Sequence, residues 1–159
     1  MTATEVEIEV ARHFNYRANV IVPNVFWGMG LHYEADMVVL RPSGYAVEIE
    51  IKVSASDIKA DLKKRNAHDS PLFRELWFAV PESLECHPDI PKRAGVLSIR
   101  KRYSKRDEEW YTRADRIRSP EPRKSCERWT DAQRLKLYSL GLMRVWRLKE
   151  KQINERERG

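Results

Sequence analysis

Two short segments joined by a tight turn hold the residues of this chain best suited to chemistry: Glu34 to Arg41, containing Asp36, and Tyr45 to Val53, containing Glu48, Glu50 and Lys52. Met37, Val39, Val47, Ile49, Ile51 and Val53 alternate with other residues, which is the period of β-strands. Pro42, Ser43 and Gly44 between them have the composition of a three-residue hairpin loop, and such a loop fixes a register. With Arg41 opposite Tyr45, Asp36 faces Glu50 and Glu34 faces Lys52, while Glu48 projects from the same side. Opposed Cβ atoms lie roughly 4.5–5.5 Å apart, and facing carboxylates destabilise a sheet unless a cation or proton sits between them. The pattern predicts a cation site. A register slip of one residue would set Asp36 against Ile51 and dissolve it.

Hard divalent ions such as Mg2+ or Mn2+ prefer oxygen ligands. Asp36, Glu50 and the Ile51 backbone carbonyl can supply them. Glu48, or Glu9 from the first helix, can complete the shell through water, and Glu34 is placed to steady Lys52 or to join the ligands. Lys52 follows Glu50 by two residues and so shares its face, where an ammonium can orient or deprotonate a water or stabilise developing charge. Lewis acid, water and cation together are what phosphodiester hydrolysis requires.

The surrounding pattern predicts the elements that position these groups. Thr4 to about Tyr16 reads as a helix capped by Thr4, and Ala18 to Phe26 as a strand that Pro23 sets near an edge or bends. Ser54 or Ser56 caps a short helix through Lys64, Glu75 to Val80 is a strand, and Val96 to Ile99 is another. A basic, weakly patterned and partly mobile segment then runs to Lys124. Thr130 and Gln133 form a capping box before Leu135, Tyr138, Leu142, Val145 and Trp146 at helical spacing, with Gly141 as a point of bending or division. This order predicts an α/β fold with a central mixed sheet flanked by helices. The core spans residues 1–105, and a basic C-terminal extension spans 106–159, largely helical from about 129.

A net charge of +6 with 34% charged residues points to an anionic partner, nucleic acid above all. Arg100, Lys101, Arg102, Lys105 and Arg106 lie in the basic stretch, with Trp110 and Tyr111 among them as candidates for stacking on bases. Two distant cysteines suit a reduced, cytoplasmic protein, and no apolar run approaches a membrane span. Blander readings exist for several of these residues. Glu48-Glu50-Lys52 also fits a solvated sheet face, Asp57, Lys59, Asp61 and Lys63 fit a solvated helix face, and Trp77, Phe78 and Trp146 fit a core. His13, His68 and His87 have no ligand-like spacing.

Asp36 followed by Glu50-Ile51-Lys52 on the next strand resembles the signature of the PD-(D/E)XK nuclease superfamily, with Ala35 where that signature usually has proline. Glu34-Ala35-Asp36-Met37-Val38, Glu48 to Lys52, Asp57 to Lys63 and Leu76 to Pro81 resemble its MmcB-like DNA repair branch, over roughly residues 30 to 100. The resemblance implies a restriction-endonuclease-like core, Mg2+ or Mn2+ as cofactor, and DNA as substrate. It makes Asp36, Glu50 and Lys52 the catalytic candidates, adds Lys63 as a helix residue facing the site, and admits a homodimer. A noncatalytic nucleic-acid-binding or assembly module with the same fold is the rival expectation.

Overall fold

The computed structural model describes residues 1–26, 28–62 and 68–157. Its elements are α1 (Ala3–His13), β1 (Val20–Val25), β2 (Ala35–Leu40), β3 (Ala46–Ile51), α2 (Ala55–Leu62), β4 (Phe73–Pro81), β5 (Gly95–Ser104), β6 (Glu109–Arg118) and α3 (Asp131–Glu157). The strands form one mixed sheet in the order β1-β2-β3-β4-β5-β6. Pairings β1–β2, β2–β3 and β5–β6 are antiparallel, while β3–β4 and β4–β5 are parallel. The fold is α/β with a mixed sheet flanked by helices and a C-terminal helix, as the sequence pattern predicts.

The β2–β3 register is the one the loop chemistry dictates. Met37 pairs with Ile49, Val38 with Glu48, Val39 with Val47 and Leu40 with Ala46. At the turn, the Arg41 N–H donates to the Tyr45 carbonyl at 3.0 Å and the Gly44 N–H to the Arg41 carbonyl at 2.8 Å. Gly44 has φ +87°, a conformation that a residue with a Cβ adopts only under strain.

Alternation then sorts side chains onto two faces. Val6 and Val10 of α1, with Phe14 at its C-cap, cover Met37, Val39, Val47, Ile49, Trp77, Leu97 and Ile99. On the opposite face, Leu137 and Leu140 of α3 pack with Trp129 over Val22, Val38, Leu40 and Ala46, and Ile58 of α2 packs over Leu76, Phe78, Val80 and Val96. Glu48 and Glu50 project from this second face of the central strand β3, whose partners β2 and β4 bear those two apolar patches.

Several expectations are corrected. Thr2, not Thr4, caps α1, forming a reciprocal capping box with Glu5. The stretch after Ile99 is not a loose basic segment: β5 continues to Ser104 and β6 pairs with it, so the sheet extends to Arg118, past the boundary expected at residue 105. The segment behind β6 is tied down as well, with Glu121 N–H donating to the Arg93 carbonyl, Arg123 N–H to Arg74 and Trp129 N–H to Gly44. The capping box at Thr130 and Gln133 is formed, and α3 runs unbroken through Gly141, where a Cβ would meet Val22 at 3.2 Å. Trp146 is exposed rather than in the core.

Candidate functional site

Asp36, Glu50 and Lys52, read from sequence as one constellation, meet in space. Lys52 Nζ lies 2.5 Å from Glu50 Oε2, 3.3 Å from Asp36 Oδ2 and 3.3 Å from Asp61 Oδ1. Asp36 Oδ2 also accepts the Ile51 N–H at 2.8 Å, which locks the acid of β2 to the backbone of β3. Glu50 and Lys52 are buried, and Asp36, with its side chain 35% exposed, is the member open to solvent.

Two residues that the sequence did not single out complete the cluster. His68 Nδ1 is 2.9 Å from Glu48 Oε1, and His68 Nε2 is 2.5 Å from Asp61 Oδ2. With a carboxylate at each nitrogen, the ring is held as an imidazolium that donates to both. His68 has φ +66°, rare for a residue other than glycine, and its carbonyl accepts from Arg93 at 2.5 Å. Asp61 is buried, contrary to the reading of α2 as a solvated face. Nothing in sequence spacing marks either residue, because β3 and α2 meet through tertiary packing. The remaining signal is that Asp61 lies three residues after Ile58, on the face that α2 turns to the sheet.

The electrostatics follow from burial. Glu50 is pushed up to about 8, first by loss of solvent and then by the charge of Asp36, and the attraction of Lys52 and His68 does not restore it. Burial lowers the proton affinity of Lys52, but Glu50, Asp36 and Asp61 outweigh it and hold the ammonium above the usual lysine range. Burial likewise opposes the charge on His68, yet Asp61, Glu48 and Glu50 raise it to about 9. The Tyr33 phenol is pushed up by burial and by Glu48.

The expected metal ligands divide. Glu48 joins the cluster, and Glu48, Glu50 and His68 present ligand atoms within 4.8 Å of one another. Glu50 Oε1 is buried and, among the described residues, accepts no hydrogen bond, with His68 Nδ1 at 3.6 Å, so it can still accept a cation. The carboxylates suit a hard divalent ion such as Mg2+ or Mn2+, and His68 is a countercharge there as long as it donates from both nitrogens. Glu9 is excluded: it lies on the α1 face, held by Arg12 at 2.7 Å and Thr112 at 2.7 Å. The α1 acid that senses the site is Glu7, whose carboxyl is raised by burial and by the charge of Asp36. Glu34 is exposed and does not steady Lys52.

The predicted nucleic-acid contacts scatter. Lys63 lies outside the described residues. Arg100 is engaged by Glu85 at 2.7 Å and Glu82 at 3.5 Å, which makes it a structural ion pair rather than a free phosphate contact. Arg102 reaches Asp115 at 3.6 Å. Lys105 and Arg106 sit exposed in the β5–β6 turn. Lys101 and Trp110 line a groove with Glu5, Arg12, Tyr111 and Thr112. Trp110 is 71% exposed, with its ring 5.4 Å from Tyr103. Lys101 has the parity of Leu97 and Ile99, so this groove opens on the α1 side, across the sheet from Glu50.

No protein-family model matches the chain, and a comparison with curated proteins found no match. Among solved structures, the chain is similar over its whole length to SPO1766, a protein of unknown function from Silicibacter pomeroyi, with TM-score 0.65, 20% identity, and 100% of this chain and 96% of that one covered. A second protein of unknown function, AF1548, has TM-score 0.37 and 16% identity over 58% of this chain and 62% of its own. The likeness to SPO1766 is one of fold, shared from α1 through α3. No helix among the described residues is long and apolar enough to cross a membrane.

Proposed function

We propose that the chain is a divalent-metal-dependent nuclease of the PD-(D/E)XK type that hydrolyses DNA phosphodiesters. The observation that supports this reading most is the convergence of Asp36, Glu50 and Lys52 on one sheet face, with the ammonium 3.3 and 2.5 Å from the two carboxylates. Asp36, Glu50 and the Ile51 carbonyl would hold the ion, with Glu48 and His68 behind them and Glu7 beside Asp36. When bound, Mg2+ or Mn2+ supplies Lewis acidity and a water of lowered pKa. Lys52 stays protonated at neutral pH because its carboxylate neighbours hold it so. Its role is that of a fixed positive charge toward the phosphate, not of a general base. Asp36, exposed on one side and anchored by the Ile51 N–H on the other, is the ligand that substrate meets first.

The burial of Glu50 and Lys52 favours a second reading, a noncatalytic nucleic-acid-binding or assembly module that keeps the fold. Purified protein incubated with plasmid and oligonucleotide DNA in Mg2+ or Mn2+ separates the two. The nuclease reading expects cleavage that falls at least about 100-fold in Asp36→Asn and in Lys52→Ala, each with an unchanged circular dichroism spectrum. Cleavage that persists in both variants rejects the site. Absence of cleavage together with absence of Mn2+ binding selects the module.

A further inference from the structure

We infer that the outer face of α3 is a self-association surface, on which a second copy of this chain docks its own α3 antiparallel. This rests on the fold alone and not on the nuclease reading. The helix buries Leu137 and Leu140 against the sheet and sets Gly141 against Val22. Away from that side it carries Leu135, Tyr138, Leu142, Val145, Trp146 and Ile153, all exposed, with Leu142 and Trp146 each at 64%, while Met143 and Leu148 are exposed elsewhere on the helix. From Val145 to Arg156 every residue is exposed, so nearly half of the helix lies uncovered by the described residues. An isolated helix of that length is marginal in water, since lone helices shorter than about 12–15 residues hold poorly.

Leu135, Tyr138, Leu142 and Val145 have a coiled-coil period, Trp146 and Ile153 lie beside them, and polar residues continue the series at both ends. Asp131, Leu135, Tyr138, Leu142, Val145, Lys149, Gln152 and Arg156 are spaced alternately by three and four residues. Folded back on a second copy about a point between Met143 and Arg144, the stripe complements itself. Leu142 meets Val145, Leu135 meets Gln152 beside Ile153, Tyr138 meets Lys149, and Asp131 meets Arg156. A parallel pairing would instead stack Asp131 on Asp131, Lys149 on Lys149 and Arg156 on Arg156, each unfavourable. Arg144, the cation nearest the pivot, is turned away and donates to the Asn24 carbonyl at 2.5 Å. The six large apolar side chains, each able to bury on the order of 100 Å², supply most of the roughly 800 Å² per partner of a standard interface.

The full-length chain is examined by analytical ultracentrifugation from about 1 to 100 µM, a span chosen to bracket micromolar association. Wild type is expected to form a dimer within that span. Leu142→Glu with Val145→Glu, which alters only exposed positions, is expected to weaken dimerisation at least about 100-fold, with its circular dichroism unchanged. Orientation is read by cysteine trapping in a Cys86→Ser background. A mixture of Leu135→Cys and Gln152→Cys chains should cross-link, whereas neither variant alone should, because the like sites in an antiparallel pair lie about 25 Å apart. A wild-type chain that stays monomeric throughout, cross-linking within single variants, or a monomer whose stripe binds anionic phospholipid vesicles instead would each overturn the proposal.

Discussion

Raising the pH should destabilise this protein through its candidate site, and the order of the effect can be worked from two residues. Glu50 titrates at about 8 in the folded chain against 4.5 for an ordinary glutamate, so the folded state binds its proton more tightly than the unfolded chain does. The stability linked to that proton is fully present below about 4.5 and drains away as pH climbs through about 8. At about 1.4 kcal/mol per tenfold change in proton affinity, the loss is on the order of 5 kcal/mol. His68 acts in the same direction: raised to about 9 from 6.5, it contributes stability below 6.5 that is lost as pH rises through 9, on the order of 3 kcal/mol. Both groups are buried, so solvent screens neither strongly. Urea denaturation at intervals from pH 5 to pH 9.5 should therefore show a midpoint that falls steadily, with Glu50→Gln, which cannot ionise, losing much less. Saturating Mn2+ selects the ionised carboxylate and should flatten the wild-type decline. A wild-type profile parallel to that of Glu50→Gln, or a decline that Mn2+ leaves untouched, would show that Glu50 does not hold the proton or the ion assigned to it.

Other perturbations test separate parts of the structure. His68→Ala leaves Glu48 and Asp61 buried without the imidazolium that bridges them, and should cost about 3–5 kcal/mol in urea denaturation at pH 7; a loss below about 1 kcal/mol would refute the bridge. Gly95→Ala places a Cβ 2.5 Å from Trp77 Cε3 in the interior of the sheet. It should destabilise by about 1–3 kcal/mol with a change in near-ultraviolet dichroism, and a neutral result would refute that close packing. On the proposed nucleic-acid-binding function, Trp110→Ala, which removes an exposed ring of the β5–β6 ribbon, should weaken binding of single-stranded DNA about tenfold in fluorescence anisotropy without altering the melting temperature, and unchanged binding would remove Trp110 from that function.

The hairpin register was legible because Pro42-Ser43-Gly44 leaves the chain few ways to turn, and a fixed turn determines every pair beyond it. Asp36, Glu50 and Lys52 followed from that local geometry. Asp61 and His68 did not, since they reach β3 from the far side of a crossover, and no periodicity records such a meeting. Strand β6 escaped detection for a different reason: it is an edge strand with both faces largely exposed, so its residues lack the apolar alternation by which strands are read. In α3 the spacing revealed a helix with an apolar stripe, yet the side that docks on β1 is the other one, carried by Leu137 and Leu140. A pattern reports that a face is apolar but not what covers it.

The state of Glu50 bears on whether this cluster is structural or chemical. A sheet interior that needed only stability would be served as well by apolar residues, since a buried ion pair rarely surpasses well-packed hydrophobic groups. Val38, Leu40, Leu76 and Phe78 supply such packing on the same face, on the strands to either side. Between them the chain places a carboxyl beside Asp36, provides Lys52 and His68 as countercharges, and still leaves it with a proton affinity far above that of an ordinary glutamate. Two cations within reach do not suffice to keep it ionised, and one of its oxygens accepts no hydrogen bond among the described residues. A group so placed is stabilised by whatever brings it further positive charge: a proton in acid, or a divalent cation near neutrality. The preference for a metal over a proton thus grows as pH rises through 8, the range in which the apo protein is expected to lose stability, and occupancy of the site and persistence of the fold should rise together there.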